Sequence, residues 1–113
     1  ASFGYIRSAM RACTDRGWIA AGMNFRGCGG VDLATPRGYT GAYTGDLRSC
    51  AHQIAARMAT GQPMFIVGNS LGANLIVKYL GEESLSNTLP ACVAGAVSLG
   101  NPLKIDSGKL GFP

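Results

Sequence analysis

From Tyr5 the apolar residues Ile6, Ala9, Met10 and Cys13 recur at helical spacing, with Arg7 and Arg11 on another face. That spacing predicts an amphipathic helix, stopped at Gly17. The stretch WIAAGMNF, 18–25, is short and almost wholly apolar between glycine-rich flanks, which predicts a strand covered on both faces. Residues 26–45 carry repeated glycines and Pro36 and read as one long loop, of the kind that is usually functional or mobile. Leu47, Cys50, Ala51, Ile54 and Met58 form the next helical stripe, begun by Asp46 and stopped around Gly61 to Pro63. A second apolar strand follows over 64–69. Leu71, Leu75, Ile76, Tyr79 and Leu80 then repeat with period three to four, and Gly81 stands where a helix commonly takes a left-handed cap. A polar loop from Glu82 to Pro90 leads into CVAGAVSLG, the third strand. The alternation of helix and strand predicts an α/β fold of three parallel strands joined by right-handed crossovers, with helices on both faces. There is no internal repeat, low-complexity tract or second domain.

Composition fits that picture. The 113 residues are 47% hydrophobic and 14% charged, as expected of one soluble globular unit with one small core. The formal charge is +4, but the ten Lys and Arg are scattered with no basic run and no aromatic interleaving, so a nucleic-acid partner is not inferred. Cys13, Cys28, Cys50 and Cys92 lie far apart without metal-ligand or redox spacing. Four buried or semi-buried thiols in a reducing compartment such as the cytoplasm are expected, although two disulfides in a secreted protein fit the same count. No apolar run approaches the roughly twenty residues of a membrane span. The chain starts at Ala1 with a helix-like pattern almost at once, which points to an upstream part and, with it, any membrane anchor or targeting signal.

The chemistry concentrates in FIVGNSLGAN, 65–74. Gly68, Asn69, Ser70, Leu71 and Gly72 spell GxSxG at an expected strand-to-helix junction, the context of a nucleophile elbow. Small residues are expected at 68 and 72 because the serine is held in a strained turn and a side chain two positions away would collide with a neighbouring element. The turn pushes the Ser70 hydroxyl out at the carboxyl end of the sheet. The Leu71 N–H, in the first helical turn, is placed to donate to an oxyanion. Phosphate binding is the other use of such a junction, but GNSLGAN lacks the P-loop lysine and GAVSLGN at 95–101 has Asn101 in its place. GCGG at 27–30 is not GxGxxG, so a dinucleotide is not supported.

GYIRSAMRACTDRGW, NFRGCGG, TPRGYTGAYTGDL, VGNSLGANLIVKYLGEES and GAVSLGNPL together resemble the α/β-hydrolase family 4 proteins, across nearly the whole chain and in order. That group includes embryogenesis-associated-like plant proteins, bacterial esterases and animal hydrolase-domain lipases. The resemblance implies a partial α/β-hydrolase fold, with 1–113 as a single incomplete domain. It implies a serine carboxylesterase or lipase acting on fatty-acyl esters, with acyl transfer to an alcohol in some members, without cofactor or metal. Ser70 matches the family's nucleophile and Leu71 its backbone donor.

The rest of the family's machinery falls outside the matched blocks. His52, the single histidine, sits mid-helix where the family's base does not lie, and reads as a partly exposed helix residue. Asp106 follows the third strand closely enough to be weighed as the acid, but the family's acid comes later. A serine without a base is a poor nucleophile, so the chain alone is expected to be inactive. The resemblance also implies a strand before the first helix, lying between 18–25 and 64–69. Its loss would open a gap and leave edges prone to aggregate or borrow a strand. Arg26, Arg37 and Tyr39 on the long loop are candidates for the mouth above Ser70, or for anchoring the loop through carbonyls. A non-catalytic binding module on a hydrolase scaffold, or a truncated product without independent function, are the alternatives.

Overall fold

The computed structural model describes residues 4–24 and 43–101. The chain divides into two compact units, Ala1–Thr40 and Gly41–Pro113. In the first, α1 spans Gly4–Asp15. Ile6, Met10 and Cys13 are its less exposed positions, as their spacing requires, whereas Ala9 is exposed. The helix stops as expected at Gly17, whose φ of 79° is open to a residue without Cβ. The N–H of Trp18 donates to the Cys13 carbonyl and that of Gly17 to Thr14, each at 3.0 Å. This paired pattern closes a helix end by using two of its orphan carbonyls.

The second unit holds α2 (Gly45–Arg57), β1 (Met64–Asn69), α3 (Leu71–Ser86) and β2 (Val93–Leu99). β1 and β2 pair in parallel, with Ile66 opposite Ala96, Val67 opposite Val97 and Gly68 opposite Ser98. Because strand side chains alternate, Ile66, Gly68, Ala96 and Ser98 share the face on which α3 packs. α2 packs in turn on α3. The core lies between these elements: Ala51 of α2 and Ala73, Leu75, Ile76 and Tyr79 of α3 are buried. The helical stripes at 47–58 and 71–80 therefore form as their periodicity requires.

Three expectations are corrected. Residues 18–24 form no strand, and among the described residues the sheet has two strands rather than three. Trp18 is 61% and Ile19 93% exposed. A run of apolar residues signals a wish for cover, but a strand also needs a backbone ladder beside it, and the described part of that unit contains no other strand. Within the second unit, α3 packs on one face of the sheet. Phe65, Val67, Val97 and Leu99 on the opposite face remain exposed.

The second correction concerns the end of α3, which runs through Gly81 to Ser86, so that Glu82–Ser86 are helix and not loop. The left-handed residue is Asn87, φ 56°, and the N–H groups of Asn87 and Thr88 donate to the carbonyls of Ser84 and Glu83. Asn tolerates this conformation because its short polar side chain offsets part of the steric cost. Finally, α2 ends at Arg57, short of Gly61, and begins at Gly45, with Thr44 rather than Asp46 marking its start. Gly61, φ 87°, instead shapes a turn in which the Gln62 N–H donates to the Ala59 carbonyl at 3.2 Å. The expected loop at 26–45 lies largely outside the described residues.

Candidate active site

The site is a single-residue turn. β1 ends at Asn69, α3 begins at Leu71, and Ser70 alone joins them with φ 55° and ψ −118°. For a residue with a Cβ this backbone is disfavoured by about 1–3 kcal/mol, so the surroundings must hold it. They do so from both sides. The Ser70 N–H donates to the Leu99 carbonyl of β2 at 2.8 Å, which extends the parallel ladder to the serine itself. Its carbonyl accepts from the N–H groups of Ala73 at 3.0 Å and Asn74 at 3.3 Å. The serine is exposed at the carboxyl end of β1.

Serine at the first boundary position of a helix ordinarily has extended φ and ψ and caps an N–H with its hydroxyl. Ser70 has neither property, since its φ is positive and its side chain makes no capping bond. The hydroxyl is not used to stabilise the helix.

The two flanking glycines differ. A Cβ at Gly68 would lie 2.5 Å from Ile76 Cδ1, 2.6 Å from the Gly72 carbonyl oxygen and 2.8 Å from the Ala73 nitrogen. Two of those three are backbone, which cannot step aside, so the close approach of strand and helix requires glycine there. At Gly72 the expected collision is absent: a Cβ meets nothing within 4 Å among the described residues, and φ is not positive. The residue lies in the first turn of α3. Leu71 is the first residue of α3 and its N–H belongs to the first turn, where helical N–H groups have no partner within the helix.

His52 is exposed on α2, consistent with an ordinary helix residue. Asp106, Arg26, Arg37, Tyr39 and Cys28 lie outside the described residues. Among the described residues, Cys13, Cys50 and Cys92 are half-buried free thiols. Among the described residues no three His, Cys, Asp or Glu side chains cluster as metal ligands, and no helix is long and apolar enough to cross a membrane.

Sequence reasoning missed a polar network on the flank of α3. Arg48 of α2 donates through Nε to Glu83 and through Nη2 to Glu82 at 3.1 Å and to the Thr44 hydroxyl at 3.2 Å. Thr44 also donates to Glu82, and Thr88 to Glu83. The Thr88 hydroxyl, followed by the Arg48 guanidinium, holds the Glu83 carboxyl below the usual carboxylate range. Glu82 is lowered too, mainly by Thr44. The Arg48 guanidinium lies 5.9 Å from the centre of the Tyr79 ring, whose buried hydroxyl has no hydrogen-bond partner. Burial pushes that phenol upward. Also missed were Ser98 and Asn101, at the carboxyl end of β2. Local pattern marks neither set, because the contacts that join α2 to α3 and β2 to α3 span 25 or more positions, and only Arg48 with Thr44, Thr88 with Glu83 and Asn101 with Ser98 are neighbours in sequence.

No family model and no solved structure matches the chain. Curated relatives do. The chain is 35% identical over 101 residues to the embryogenesis-associated protein EMB8 of Picea glauca, covering 89% of this chain and 21% of that protein. It is 33% identical over 102 residues to a monoacylglycerol lipase of Saccharomyces cerevisiae, covering 89% of this chain and 22% of the lipase. It is 31% identical over 96 residues to phospholipase ABHD3 of Mus musculus, covering 85% of this chain and 23% of the phospholipase. The chain thus spans less than a quarter of the length of each of these three relatives. With a parallel α/β arrangement, a strained serine between strand and helix, and relatives named as lipase and phospholipase, the chain is similar over most of its length to a part of the α/β hydrolases.

Proposed function

We propose that this chain carries the nucleophile of a serine ester hydrolase, a carboxylesterase or lipase acting on fatty-acyl esters. Ser70 Oγ attacks the acyl carbon, its proton passes to a base, and the alcohol departs to leave an acyl-serine. Water, or an alcohol in an acyl transfer, then resolves that ester. The Leu71 N–H donates to the oxygen that becomes negative in the tetrahedral intermediate, a contribution on the order of 3 kcal/mol for such a donor. Gly68 lets strand and helix approach closely enough to form the turn; Gly72 serves as a small residue of the first helical turn. The base comes from outside these 113 residues, since the single histidine is exposed on α2, and the chain by itself is therefore inactive. The substrate class rests on the relatives' names, lipase and phospholipase.

One observation carries the reading: an exposed serine occupies a cap position in a backbone that disfavours it, and its hydroxyl does no capping. A purely structural turn there would be better served by glycine. The test is covalent labelling of the full-length protein with a fluorophosphonate. Labelling that vanishes in Ser70→Ala supports the reading; equal labelling of both proteins, or none of the native one, favours a non-catalytic binding module.

A further inference from the structure

We infer that Asn101 is a positioning residue for Ser70, acting through Ser98 to hold the first turn of α3 against the end of β2. The consequence for catalysis rests on the reading above, whereas the clamp itself rests on geometry alone.

Three contacts define it. Asn101 Nδ2 donates to Ser98 Oγ at 3.1 Å. Ser98 Oγ donates to the Ala73 carbonyl at 3.4 Å, a long bond that gains from polarisation of the hydroxyl by the amide behind it. Ala73 in turn donates its N–H to the Ser70 carbonyl at 3.0 Å. Beside this chain runs the direct bond from the Ser70 N–H to the Leu99 carbonyl, one residue beyond Ser98. The strained serine is thus held from its own amide and from the turn that follows it, both times by the last residues of β2.

The orientation of Asn101 is what makes the chain directional. A serine hydroxyl has one hydrogen to give. With the amide nitrogen facing Ser98, that hydrogen is free for Ala73. With the amide turned, the oxygen would take the hydrogen and release the Ala73 carbonyl. The amide oxygen is instead buried without a partner, an arrangement that costs free energy. The donor end faces Ser98, and the amide oxygen is left without a partner.

The full-length protein with Asn101→Ala, Asn101→Asp, Ser98→Ala, Ser98→Thr and Ser70→Ala tests this by two readouts. Hydrogen exchange over 70–75 is expected to quicken in Asn101→Ala, Asn101→Asp and Ser98→Ala and to stay native in Ser98→Thr, which keeps the hydroxyl. Asn101→Asp is isosteric but offers only acceptors, so it should behave no better than Asn101→Ala. At a temperature where every variant is folded by circular dichroism, kcat on a short acyl ester should fall about tenfold with KM unchanged, as displacement of a nucleophile predicts. Combining Asn101→Ala with Ser98→Ala should add little, because both break one chain. Native exchange over 70–75 in Asn101→Ala overturns the inference, as does a loss confined to KM. Quickened exchange in a protein whose hydrolysis survives Ser70→Ala supports the clamp and overturns the hydrolase reading instead.

Discussion

Arg48 on α2 and Glu83 on α3, 35 positions apart, form an ion pair in which the carboxylate is buried, its side chain 2% exposed, and the guanidinium is partly open to solvent. Because Thr88 occupies the second carboxylate oxygen, Glu83 is satisfied at both ends. The contact fixes α2 to the helix that follows Ser70.

The pair makes stability depend on acid. Glu83 is held below its ordinary range in the folded state, so its contribution is present above the unfolded value of about 4.3 and is lost as pH falls through the folded value. The melting temperature of the full-length protein should drop below about pH 4, and Glu83→Gln should be less stable at pH 7 but flatter across that acid window. Thermal scans of both between pH 3 and 7 check this; parallel curves refute it.

Tyr79 presents the opposite case. Its hydroxyl is buried and unpartnered, while the ring packs under Arg48. Tyr79→Phe keeps the ring and removes the unmet donor, so stability should rise by about 1 kcal/mol in urea denaturation.

The two elbow glycines should separate on substitution. Gly68→Ala forces a methyl against backbone and should cost about 1–3 kcal/mol, with loss of Ser70 labelling as the turn is displaced. Gly72→Ala has room and improves helix propensity; its stability should be unchanged or raised by up to about 1 kcal/mol. Equal losses at both positions would contradict the geometry.

The end of α3 gives a second pair of substitutions. Gly81 is exposed within the helix and a Cβ there meets nothing, so Gly81→Ala should stabilise by about 1 kcal/mol. Asn87 holds the left-handed cap, and Asn87→Ala should cost about 1 kcal/mol, with Asn87→Gly neutral or better. Were Gly81 the cap, its alanine variant would lose stability.

Local pattern determined much of this chain. Spacing of apolar side chains marked α1, α2 and α3, because a helix buries one stripe whatever it packs on; Gly17 marked an end because only its backbone conformation was needed. β1 and β2 were visible as apolar runs, and GxSxG at the junction of β1 and α3 located Ser70 without coordinates. Tertiary structure decided what depends on neighbours. It settled that 18–24 form no ladder, since a strand is a property of two backbones. It carried α3 past Gly81 to Asn87, where Arg48, Thr44 and Thr88 meet the carboxylates of Glu82 and Glu83. It also divided the elbow glycines, requiring one and leaving the other free. In each case the deciding atoms come from elsewhere in the chain or from three-dimensional packing, and periodicity reports whether a residue seeks cover but not which atom will provide it.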